Sequence, residues 1–225
     1  MKLVIFDCDG TLVDSQHMIC AAMHKAYQAH GIACPPRQRL LSIVGLSLPE
    51  AFLKLAEGAA HPHRELVDSY KAAFQELRRA DAGMEPLYPG ARETVEALAG
   101  QGDMVLGLAT GKSVRGVSLV LGHHGLYRHF STVQTADTAP SKPHPEMIYA
   151  AMRDAGATPQ DTVMIGDTVF DIEMARAAGV SAIGVGWGYH PPDALHAAGA
   201  ELVIDQFAQL LPALGARWNG VTADA

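Results

Sequence analysis

Six polar residues in this chain have side chains suited to catalysis, and each follows or borders an apolar run. Asp7 and Asp9 stand two apart after the first run, Thr110 ends the second, Lys142 lies in a loop beyond the third, and Asp167 and Asp171 follow the fourth. Carboxylates can attack, carry protons or bind cations; a threonine hydroxyl donates a hydrogen bond, and a lysine supplies a fixed positive charge. Each has a plain structural explanation when taken singly. Asp7 and Asp9 could form a turn or cap, Thr110 could cap a helix, Lys142 could be a surface lysine, and Asp167 and Asp171 could answer a helix dipole. A complementary set at successive strand ends is much harder to explain in those terms.

The runs themselves predict the scaffold. Residues 2–6 are apolar and branched, as in a parallel strand covered on both faces, and similar runs recur at 104–109, 132–134, 162–165, 182–185 and 202–204. Helical segments separate most of them, so the expected fold class is α/β with a doubly wound parallel sheet. Ligands bind such sheets beyond the carboxyl ends of the strands, where the strand order reverses. Residues 15–84 instead read as helices without a strand: 18–29, 48–56 and 64–79, broken at Pro35-Pro36, Gly45 and His61-Pro62. This stretch is expected to be an inserted helical cap (15–84) on a core made of 1–14 and 85–225, with hinges near 14–15 and 84–87. The chain re-enters the core through Pro86, Pro89 and Gly90 before a helix at 91–99, and 219–225 reads as a frayed tail.

Composition narrows the function. The 225 residues are 48% apolar and 18% charged, with a net charge of -7, which disfavours nucleic acid or an anionic membrane as partner. Any anionic substrate must be met by local charge or a metal. Three cysteines, Cys8, Cys20 and Cys34, show no pairing pattern and fit a reducing, cytoplasmic setting; Cys8 reads as a packing residue. No run approaches the length of a membrane-spanning helix or a signal-peptide core. The histidines, including His61, His63, His123 and His124, lack zinc-site spacing and read as surface residues. The glycines of 184–188 fail the dinucleotide-loop spacing and read as a turn lining the site. A monomer or homodimer is expected.

Together the motifs carry a resemblance. The run from Phe6 to Asp14 (FDCDGTLVD) resembles the first motif of the haloacid dehalogenase superfamily phosphatases, Leu108 to Gly111 the second, Ser141 to Glu146 the third, and Ile165 to Asp171 the fourth. The match spans essentially the whole chain in order, and the inserted helices resemble the small cap of the phosphoglycolate phosphatase and β-phosphoglucomutase branch. The resemblance implies a sheet ordered 3-2-1-4-5, which brings Asp7, Asp9 and Asp167 together. Crowded carboxylates in a site that handles phosphate call for a hard cation with oxygen ligands, and Mg2+ is the expected ion. By resemblance it takes the Asp7 and Asp167 side chains and the Asp9 backbone carbonyl. Asp7 is then the nucleophile, Asp9 the acid and base, Thr110, Gly111 and Lys142 the phosphate-binding residues, and Asp171 a support that holds Lys142 or a metal-bound water.

The implied activity is hydrolysis of a small phosphorylated metabolite, with phosphoglycolate the leading candidate. The cap loop Val44, Gly45, Leu46, Ser47 and Leu48, with residues 15–19, is expected to cover the site, and its apolar character points to a small leaving group. A phosphosugar mutase is the nearest rival, yet Ile19 and Leu48 stand where mutases resembling this chain carry histidine and arginine. The presence of Asp9 argues against a dehalogenase and against a phosphonate hydrolase. From other classes come a receiver-type phosphoacceptor, whose motif order differs, and a non-catalytic binding protein.

Overall fold

The computed structural model describes residues 1–80 and 85–219. The expected hinge at 84 and tail at 220–225 lie outside the described residues. The strands are β1 (Lys2–Phe6), β2 (Met104–Thr110), β3 (Phe130–Thr135), β4 (Thr162–Gly166), β5 (Ser181–Val185) and β6 (Leu202–Ile204), all parallel, in the order β3-β2-β1-β4-β5-β6. The expected order 3-2-1-4-5 is thus extended by one edge strand. β6 is only three residues long, as suits an edge that must not recruit another chain.

The period-two geometry of a strand splits β1 between two cores. Val4 and Phe6 join an apolar layer with Val95, Val117 and Leu214, under α5 (Ala91–Ala99), α6 (Val114–His123) and α10 (Leu210–Asn219). Leu3 and Ile5 face the other way, onto Met147, Ile172 and Leu195 of α7 (Glu146–Ala155), α8 (Val169–Ala178) and α9 (Pro192–Ala198). Helices therefore cover both faces of the sheet, which is why the middles of its central strands are apolar.

Between β1 and β2 lie α1 (Gln16–Ala29), α2 (Arg37–Leu41), α3 (Leu48–Ala56) and α4 (His63–Ala80) before α5. They bury an apolar cluster of their own, in which Ile19, Met23, Phe52, Leu66 and Tyr70 meet. α3 starts at Leu48 with Pro49 in its first turn, where the missing N–H costs nothing, and Ser47 before it in extended backbone. α2, a five-residue helix, has no counterpart in the sequence reading.

Candidate active site

β1 and β4 lie side by side and point the same way, so the residues after them emerge at one rim. The Asp7 N–H donates to the Ile165 carbonyl at 2.9 Å, carrying the pairing one residue past β1 and fixing the Asp7 backbone there. Beyond β4, α8 opens with a capping box: the N–H and Oγ1 of Thr168 donate to Asp171 Oδ2 at 3.0 and 2.7 Å. One carboxylate oxygen from each of Asp7, Asp167 and Asp171 lies within 4.8 Å of the other two, and all three residues are buried. No histidine belongs to this acidic cluster. His123 is exposed, but His61, His63 and His124 are partly buried, so only the first fits the surface assignment.

Lys142 enters from the loop between β3 and α7. Its Nζ donates to Asp171 Oδ1 at 2.6 Å and lies 2.9 Å from Asp7 Oδ1, and its side chain is 0% exposed. Burial alone would push its ammonium down, but the carboxylates of Asp171 and Asp7 overturn that and hold it above the usual lysine range. Burial pushes the Asp7 carboxyl up to about 7, with Lys142 opposing and Asp171 adding repulsion. Asp167 is raised for like reasons: burial first, then the charges of Asp7 and Asp171.

The three acids differ in what they leave free. Asp171 is committed on both oxygens, to Lys142 and to Thr168. Asp167 accepts from Thr11 Oγ1 and the Tyr189 N–H, each at 2.9 Å. Asp7 Oδ1 faces the Lys142 ammonium, whereas Oδ2 has no hydrogen-bond partner among the described residues, despite its burial. An unsatisfied buried carboxylate is costly, and three acids against one lysine leave surplus negative charge. That donor set fits a hard divalent cation.

Backbone presses on Asp167 from two sides. Gly10 sits at φ +91°, and a Cβ there would fall 2.2 Å from Asp167 Oδ2; a Cβ on Gly188 would fall 2.1 Å from Asp167 Cβ. Of the glycines in β5 and the turn after it, Gly188 meets the acidic cluster, while Gly184 faces Leu195 and Gly186 faces Asp205. His190 joins this turn to the insert: its Nδ1 accepts from the Val169 N–H at 3.1 Å, so its Nε2–H donates to the Ser42 carbonyl at 3.2 Å.

Asp7, Asp9, Thr110 and Gly111 line one cavity of about 530 Å³ with Val44, Gly45, Leu46 and Leu48 of the insert. Ser47 serves otherwise: its N–H donates to Ser141 Oγ at 2.8 Å, tying the insert to the Lys142 loop. The Asp9 carboxylate stands outside the acidic cluster, accepting from Ser15 Oγ and from Lys112 Nζ through both oxygens, at 2.7 and 3.1 Å. Lys112 was not legible as a site residue, although its place two residues past Thr110 at a strand end was a usable signal. Tyr70, Phe74 and Arg78 of α4 also line the cavity, and their helical spacing reads only as packing.

The insert loop rests directly on the core at Gly111, where a Cβ would lie 2.5 Å from the Leu46 carbonyl oxygen and 2.6 Å from that of Gly45. Gly111→Ala should therefore lift the loop and lower kcat/KM by roughly 10²-fold, since displacements of about 1 Å have effects of that size. Steady-state kinetics, with a melting curve to confirm that the variant is folded, tests this: an unchanged kcat/KM would show that the loop is not seated here.

Comparison with known proteins agrees with this geometry. Residues 4–185 match the haloacid dehalogenase-like hydrolase family. The chain is 38% identical over 215 residues to the probable phosphatase IndB of Dickeya dadantii, covering 94% of this chain and 92% of that one. It is 31% identical over 225 residues to a phosphoglycolate phosphatase of Pseudomonas putida, covering 98% and 82% of the two chains. A crystal structure of a hydrolase from Pseudomonas syringae superposes with a TM-score of 0.83 at 26% identity, over 95% of this chain and 98% of that one. The chain belongs to the haloacid dehalogenase-like hydrolases and is a phosphatase of that family.

Proposed function

We propose that this phosphatase hydrolyses the phosphate monoester of a small metabolite through an aspartyl-phosphate on Asp7. The observation that carries the reading is Asp7 itself, buried with Oδ1 against the Lys142 ammonium and Oδ2 free of hydrogen bonds among the described residues. Asp7 attacks phosphorus, and the departing alkoxide takes a proton from Asp9 on the cavity wall. Asp9 then accepts a proton from the water that attacks the phosphorylated Asp7, releasing phosphate and restoring the carboxylate. The Thr110 hydroxyl, the Gly111 backbone and the Lys142 ammonium hold the phosphoryl oxygens, while Asp171 holds Lys142 in place. The Asp7 and Asp167 side chains and the Asp9 carbonyl are the proposed holders of Mg2+, which when bound supplies the positive charge that lets an anionic ester approach a carboxylate. Residues 15–84 act as the cap that closes over this centre.

Ile19 and Leu48 both line the cavity, and their apolar side chains favour hydrolysis over the phosphosugar mutase reading. Phosphoglycolate, the substrate in the name of the Pseudomonas putida relative, is the first ester to test. Val44, Leu46 and Leu48 support a compact leaving group, although a cavity of about 530 Å³ has room for sugar phosphates and nucleotides. Turnover of p-nitrophenyl phosphate should require Mg2+ and stop with EDTA. Incorporation of one phosphate per chain without release would instead make the protein a phosphoacceptor. A panel of phosphorylated metabolites then ranks the leaving groups, and bisphosphates as the best substrates would overturn the compact-group reading.

A further inference from the structure

A second buried ionic group adjoins the acidic cluster, and it is built on Asp9. Lys112 Nζ meets both Asp9 oxygens at 2.7 and 3.1 Å and Glu85 Oε1 at 2.9 Å, with its side chain only 9% exposed. Glu85 is fully buried, and its other oxygen pairs with Arg78 of α4. The Glu85 carbonyl accepts from His124 Nε2–H at 2.8 Å, which anchors this point to α6. Four formal charges thus alternate from the first loop of the core to the last helix of the insert: Asp9, Lys112, Glu85, Arg78. Phe74 of α4 covers the chain, with Lys112 Nζ at 5.3 Å and Arg78 Cζ at 4.9 Å from its ring centre.

An exposed ion pair does little, whereas a buried network with each member partnered fixes one geometry. A lone carboxylate turns about its side-chain bonds. Gripped through both oxygens by Lys112, and by Ser15 as well, Asp9 has its plane and direction set. We propose that Lys112 is a positioning residue for Asp9, with Glu85, itself paired to Arg78, holding Lys112 in place. This rests on the reading of Asp9 as the group that protonates the leaving alcohol.

The test separates leaving groups. An alkoxide needs a proton as it departs, whereas p-nitrophenolate leaves without one, and kcat/KM reports the steps through formation of the phosphorylated Asp7. Lys112→Met should lower kcat/KM for an alkyl phosphate by about 10²-fold and for p-nitrophenyl phosphate by less than about 5-fold. Lys112→Arg, which can still reach both oxygens, should recover most of the loss. Should Lys112→Met fold poorly, Lys112→Gln with Glu85→Gln removes one charge of each sign and serves the same comparison. An equal loss on both esters, or no loss on either, overturns the proposal. Asp9→Asn is measured alongside. A leaving-group difference in Asp9→Asn but not in Lys112→Met overturns the role of Lys112 alone, and its absence from both overturns the reading of Asp9 beneath it.

Discussion

Asp7→Asn should abolish turnover and leave the metal-free protein at least as stable as the wild type. The amide cannot attack phosphorus, so kcat should fall by about 10⁴-fold or more. Stability moves the other way because the carboxylate is a liability without a cation. Burial pushes Asp7 from its ordinary 3.8 up to about 7. A carboxyl raised on folding contributes stability that is fully present below its unfolded pKa and is lost as pH rises through the folded value. With EDTA present, the melting temperature of the wild type should therefore drop between about pH 4 and about pH 8, and the drop should be smaller in Asp7→Asn. Mg2+ should raise the melting temperature of the wild type and do so less for the variant, since binding to the folded state alone stabilises it. Turnover retained within about tenfold would remove Asp7 as the nucleophile.

Lys142→Met should damage both activity and fold. Its ammonium is buried between Asp7 and Asp171, so truncation leaves both carboxylates uncompensated with Asp167 close by. Removing one member of a buried ion pair destabilises by about 3–5 kcal/mol, which for a chain of this size lowers the melting temperature by roughly 10 °C. kcat should fall by about 10³-fold through the loss of a phosphoryl-stabilising charge. Lys142→Met combined with Asp171→Asn should recover much of the stability and none of the activity. A double variant that regained turnover would show that Lys142 only neutralises Asp171. Calorimetry and steady-state kinetics on the three proteins decide it.

The parts of this site written in short stretches of chain were legible, and those made by distant partners were not. Asp7, Thr110 and Asp167 each terminate an apolar run, so the end of the hydrophobic pattern marks the rim of the sheet. Strand limits drifted where pairing outlasts hydrophobicity: Thr110 and Gly166 are polar or small yet still bond to neighbouring strands. The helix Arg37–Leu41 is too short and polar to show a period. Lys112 reads as an ordinary exposed lysine because its partners stand 103 and 27 residues away. Glu85, beside a proline after the insert, carries no local sign that it will be buried. Tyr70 and Phe74 announce a helix face, and only the fold shows that the face looks into the cavity.

Gly10 and Gly188 close on Asp167 so tightly that neither can acquire a side chain and the acid cannot grow by a methylene. Substitution at these three positions is thereby sharply restricted. The side chains of Val44 and Leu48 line the cavity away from Asp167. A lineage or an engineer can exchange Val44 or Leu48 to admit a new alcohol while the attacking apparatus stays untouched, so the protein can change its diet without relearning its chemistry.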